Sequence, residues 1–161
     1  MIVFWIGEKK AEAKNDFWSR VHETAKQKYT LAPVQSVGKL SALYSVAAVR
    51  KVSAVKSEDM LVTRVVPETA DGDLMDYKYN SGFFFEKDID SLAEIAGVCG
   101  LRCQTLTYFG VKKEDFREFL EEVRPAGVDR IVPMGKSMDF SLIWDGYDLI
   151  RQMSRRIGGL S

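Results

Sequence analysis

Three consecutive stretches in the last third of the chain constrain its fold most. "CQTLTYFG" reads as a strand, "KKEDFREFLEEV" as a helix and "DRIVPMG" as a strand again. Phe116, Phe119, Leu120 and Val123 fall on one helical face, and Pro125 and Gly127 stop the helix behind them. A strand, a helix and a strand at this spacing form the crossover unit of a parallel pair, which a tight hairpin connection cannot make.

The same alternation runs upstream. "IVFWI" is a continuous apolar run ended by Gly7, the pattern of a buried strand. Phe17, Trp18, Val21 and Ala25 then recur at helical spacing among Lys and Glu. A second helix is expected over roughly 37–55, with Leu40, Leu43, Tyr44 and Ala47 as its apolar stripe. "MLVTRVV" and "FFFEKDI" are the next strands, separated by the turn-rich "PETADGDLMDYKYNSG". "DSLAEIAGVCG" reads as a short helix that Asp90 or Ser91 caps and Gly100 ends. The expected class is α/β, a mostly parallel sheet with flanking helices, with residues 1–161 as a single domain.

Composition narrows the function. Hydrophobic residues at 46% place the chain among globular proteins able to bury a core. Lys+Arg and Asp+Glu both total 23, so nothing in the net charge points to a nucleic acid or an anionic membrane as partner. The opening "MIVFWIGEKK" is too short in apolar residues for a signal core or a membrane span. With two cysteines and no secretory signal, the expected location is cytoplasmic.

Few residues look chemically active. Cys99 and Cys103 are four apart, but zinc needs two further ligands and His22 is the sole histidine, far off in sequence. The two thiols read as small residues flanking a helix–strand junction, with no base or oxyanion donor beside them. No metal site is expected. His22, next to Glu23, reads as a solvated surface residue. Phe83, Phe84 and Phe85 read as a strand buried on both faces rather than a lipid contact. Asp145 in "WDGYDLI" is expected to cap the final helix. Lys136 after Gly135 is a weak phosphate signal, and the glycines form no complete dinucleotide fingerprint.

The stretches "RCQTLTYFG", "GVDRIVPMG" and "WDGYDLIRQMSR" resemble, in the same order, the C-terminal region of the acyl-CoA reductases of bacterial bioluminescence. The resemblance covers essentially the whole chain. It implies the C-terminal, catalytic-domain portion of the aldehyde dehydrogenase fold. It also implies an activity for the complete enzyme: NADPH-dependent reduction of a long-chain acyl thioester to a fatty aldehyde. A cysteine thiolate takes the acyl group there, splitting one hard displacement into two easier steps, and the cofactor supplies the reducing chemistry. Acyl-protein synthetase and acyl-transferase partners are implied as well.

The departures set the expected role. In that family the nucleophilic Cys precedes the strand that "IVFWI" resembles, so its counterpart is expected before Met1, and neither Cys99 nor Cys103 matches it. The nucleotide-binding half is likewise expected upstream. The family's Glu-x-Phe pair has no counterpart in "YKYNSG", so no catalytic and no cofactor-binding residue is assigned within the chain. The chain is expected to be the C-terminal part of such a reductase, inactive alone. The alternative is a truncated homologue acting as a non-catalytic protein-interaction module. On the reductase reading, the closing segment Val128 to Ile157 is expected to be scaffold for a site whose nucleophile lies elsewhere.

Overall fold

The computed structural model describes residues 1–155, so Arg156 and Ile157, the end of the closing segment, lie outside the described residues. The chain divides into two compact units, one spanning Met1–Val98 and one beginning at Cys99.

In the first unit, β1 (Ile2–Trp5) is followed by α1 (Lys10–Lys28), α2 (Pro33–Val49), β2 (Val52–Lys56), β3 (Thr63–Pro67) and β4 (Phe83–Asp88). The sheet order is β1-β4-β3-β2. β4 pairs in parallel with both β1 and β3, and β2 closes one edge antiparallel to β3. The sheet is therefore mixed. Short 3₁₀ helices at Leu74–Tyr77 and Leu92–Val98 complete the unit.

The two-residue period of β4 explains the layering. Phe83 and Phe85 point to one face, where they pack with Val65, Leu74 and, from α2, Leu43 and Val46. Phe84 points to the other, where Trp5, Val62 and Trp18 of α1 form a second cluster. Helices thus cover both faces, with Phe83 and Phe85 buried and Phe84 half-buried, so the expected burial on both faces is complete on one face and partial on the other.

The second helix departs from the expected bounds. α2 begins at Pro33, which suits a first helical position because its missing N–H has no intrahelical partner there. It ends at Val49, and Val52–Lys56 leave the helix as strand β2. The buried stripe is Lys39, Leu43 and Val46, whereas Tyr44 is exposed. At Leu92–Val98 the expected cap holds: Ser91 Oγ accepts from the Ala93 N–H at 3.2 Å, and Glu94 Oε1 accepts from the Ser91 N–H at 3.1 Å.

In the second unit, β5 (Thr105–Tyr108) and β6 (Arg130–Pro133) pair in parallel, Thr105 opposite Arg130, with α3 (Lys113–Val123) as their crossover. Phe116 and Phe119 are buried and Leu120 is largely exposed, so the apolar face of α3 is narrower than the sequence pattern. β7 (Ile143–Trp144) and β8 (Tyr147–Asp148) form a hairpin before the five-residue α4 (Leu149–Met153).

That hairpin corrects the reading of Asp145. Asp145 (φ 48°) and Gly146 (φ 79°) both take left-handed backbone and form the two-residue loop between β7 and β8. This is the geometry of an Asp-Gly hairpin turn, in which both central residues need positive φ. The cap of α4 is Asp148, whose carboxylate accepts from the Arg151 N–H at 3.1 Å.

Candidate functional site

The turn joining β2 to β3 is held from three sides. Within it, Ser57 Oγ donates to Asp59 Oδ1 at 2.7 Å, and the same oxygen accepts from the Leu61 N–H at 3.1 Å. From α1, His22 Nε2 lies 2.7 Å from Asp59 Oδ2. From α2, Lys39 sends its ammonium to the carbonyls of Met60 and Leu61, the latter at 3.1 Å. His22, expected to be solvated, is instead half-buried against the Asp59 carboxylate. The Ser57 hydroxyl, with the Leu61 amide and His22, holds the Asp59 carboxyl down at about 2. Burial pushes the Lys39 ammonium down, and the Asp59 charge opposes that shift. Lys39 is fully enclosed, so its two carbonyl partners are what make burying the charge tolerable.

Beside this turn lies a cleft of about 530 Å³ between α1 and the beginnings of β3 and β4. Val21, Val62 and Phe84 supply apolar lining, and Arg20, Lys28 and Ser81 supply polar groups. Gly82 lines the cleft with φ 79°, and a Cβ there would collide with the Leu61 carbonyl.

Beneath the α1 side of the sheet sits a buried carboxylate. Glu86 Oε2 accepts from the indole N–H groups of Trp18 at 2.8 Å and Trp5 at 3.1 Å. Arg64 Nη1 stands 3.4 Å from Oε1, and its guanidinium lies 5.3 Å from the Trp18 ring centroid. With Trp18, Trp5 and Arg64 as its partners, Glu86 ties α1, β1, β3 and β4 together.

In the second unit Arg130 plays the organising role. Its guanidinium donates to the carbonyls of Ser137 and Asp139 at 3.1 and 3.2 Å and lies 4.0 Å from the Trp144 ring centroid. Phe140 stacks on the same indole at 5.4 Å. Lys136 pairs with Asp139 at 2.9 Å, an engagement that raises its pKa. That pairing weakens the phosphate signal.

The two cysteines flank a turn that the Cys103 N–H closes on the Gly100 carbonyl at 2.8 Å. Interaction with Cys99 lowers the Cys103 thiol to about 7, and interaction with Cys103 together with burial pushes the Cys99 thiol up. Among the described residues no group of three or more His, Cys, Asp or Glu side chains is placed to hold a metal. Nor is any described helix long and apolar enough to cross a membrane. No protein-family model matches the chain, and no curated protein matches it.

Proposed function

We propose that the chain is the C-terminal part of a cytoplasmic, NADPH-dependent acyl-CoA reductase that converts long-chain acyl thioesters to fatty aldehydes. The observation that carries this reading is the ordered set "RCQTLTYFG", "GVDRIVPMG" and "WDGYDLIRQMSR". A mixed α/β architecture accords with it. The cleft beside α1, lined mainly by apolar side chains with Arg20 and Lys28 among them, supports an acyl chain carried on an anionic thiol as its occupant.

A second feature favours a larger enzyme around this chain. Met138, Phe140, Leu142, Ile143, Ile150 and Met153 are all exposed, within one short stretch. A patch of that kind marks a surface that another segment covers, and the reading assigns that role to the upstream part of the same reductase. The acyl-accepting thiolate and the NADPH-binding residues then lie outside this chain.

The test is complementation. The chain is co-expressed with the upstream part of a bioluminescence acyl-CoA reductase from which the corresponding C-terminal part has been deleted. Aldehyde formation from long-chain acyl-CoA and NADPH is expected only when both are present. Failure of the pair, where the intact reductase is active, counts against the reading. So does steady aldehyde formation by the chain alone that Cys103→Ala abolishes.

A further inference from the structure

α2 turns an uncharged face to solvent. Its 17 residues include a single charged one, Lys39, and that side chain is buried with its ammonium on the Met60 and Leu61 carbonyls. α1 and α3 instead expose charged residues such as Glu12, Asp16, Arg117 and Glu118. We propose that this face of α2 is the interface of a symmetric homodimer, in which α2 of one chain packs antiparallel on α2 of a second copy about a two-fold axis at Ser41. The inference stands apart from the reductase reading.

Spacing and exposure carry the assignment. Val34, Val37, Ser41, Tyr44 and Ala48 recur at alternating steps of three and four, the spacing of a coiled-coil seam. All five are exposed, with Val34, Val37 and Tyr44 at 73%, 62% and 66%, so the chain's own core does not use them. At about 100° per residue the seam lies roughly 180° round the helix from the buried stripe of Lys39, Leu43 and Val46. The hydroxyl at its centre costs little to enclose, because Ser41 Oγ already donates to the Val37 carbonyl of its own helix at 3.1 Å.

The order of side chains along the seam selects a second copy, run in reverse. An antiparallel pair sets Val34 opposite Ala48, Val37 opposite Tyr44 and Ser41 opposite its own counterpart. Bulky Val34 then meets a small partner at each end, and the serines on the axis let the two backbones approach. A parallel pair would crowd Tyr44 on Tyr44 and leave a gap at Ala48. A two-fold axis also brings like charges together, and a face with none escapes that repulsion. A lipid surface fits less well, because interfacial helices carry Lys or Arg beside the apolar stripe, and the one Lys of α2 points inward. The seam runs about 21 Å from Val34 to Ala48, at about 1.5 Å per residue. One helix pair of that length makes a smaller contact than the standard interface of about 1,200–2,000 Å². The dimer is therefore a weak, reversible one, with a dissociation constant between about 1 μM and about 1 mM.

The experiment is sedimentation equilibrium of the full chain, joined to site-directed cross-linking. The unaltered protein is expected to pass from monomer to dimer as its concentration rises from about 1 μM to about 1 mM, a measurement that depends on no variant. Val37→Glu, at an exposed position, is expected to weaken the dimer at least about tenfold with an unchanged circular dichroism spectrum. Under mild oxidation Ser41→Cys is expected to bridge two chains at position 41, as located by peptide mapping. Val34→Cys is expected to form no bridge with itself and to bridge only to added Ala48→Cys protein. An unaltered chain still monomeric at about 1 mM, a dimer undiminished in folded Val37→Glu, or self-bridging of Val34→Cys as fast as that of Ser41→Cys would each overturn the proposal. So would a monomeric chain that uses these residues to bind anionic phospholipid vesicles or the upstream part of a reductase, since the face would then belong to that occupant.

Discussion

Trp18 on α1 donates its indole N–H at 2.8 Å to Glu86 on β4, and Trp5 on β1 reaches the same carboxylate oxygen. Because Glu86 is buried, each indole is part of what keeps the charge tolerable there. Trp18→Phe keeps most of the apolar bulk and loses the donor. It is expected to cost about 1.5–3 kcal/mol in chemical denaturation, the range for a hydrogen bond to a charged group. Glu86→Ala strands Arg64 and both indoles and is expected to cost more, about 3–5 kcal/mol. A Trp18→Phe protein as stable as the parent would show that the indole bond contributes nothing.

Acid stability isolates the turn network. The Asp59 carboxyl sits at about 2 in the folded protein, below the roughly 4 of an unfolded chain. Its contribution is therefore fully present above about pH 4 and is lost as the pH falls toward about 2. Asp59→Asn is expected to flatten the fall in stability across that window. Denaturation midpoints of the two proteins measured between those pH values decide it, and parallel curves would contradict it.

Gly82 should tolerate no side chain. Its positive φ costs an L-residue about 1–2 kcal/mol, and the Leu61 carbonyl occupies the position a Cβ would take. Gly82→Ala is expected to lower thermal stability by more than the backbone strain alone. Gly7→Ala, also at positive φ but with open space around it, gives the strain without the collision. Equal losses at the two sites would remove the packing argument.

The two aspartates of the closing hairpin hold different structures, which two different substitutions separate. Asp145→Asn keeps a residue that favours positive φ before glycine, so hairpin stability is expected to hold. Asp148→Ala removes the side chain that accepts from the Arg151 amide, and about 0.5–2 kcal/mol of local stability with it. Amide exchange at Arg151 is the readout, accelerated by Asp148→Ala and unaffected by Asp145→Asn.

These contrasts show which features were legible in one dimension. The Phe83–Phe85 run and the crossover from Thr105 to Arg130 could be read because period and apolarity encode them locally. The edge strand β2 could not, because Val52 and Val55 also continue the apolar spacing of the preceding helix. Asp145 was ambiguous for a chemical reason. Aspartate favours both helix caps and left-handed turns, and the following glycine, the hairpin signal, carried too little weight in the cap reading. The Glu86 cluster is invisible in sequence, since its indoles come from Trp5 and Trp18, distant along the chain. The cysteine pair was half visible: the spacing of four is there, but the segment between the two is a tight turn and not a helix.

The pairing of β1 with β4 also sets an order of assembly during synthesis. Ile2 finds its partner only at Phe85, so the first strand waits for roughly 80 further residues, or roughly 4–16 s at ordinary ribosomal speeds of about 5–20 residues per second. Throughout that interval "IVFW" is an unpaired apolar ribbon, while the hairpin of β2 and β3 can already close within its own neighbourhood. The sheet is therefore completed only once β4 is available to take its place between β1 and β3.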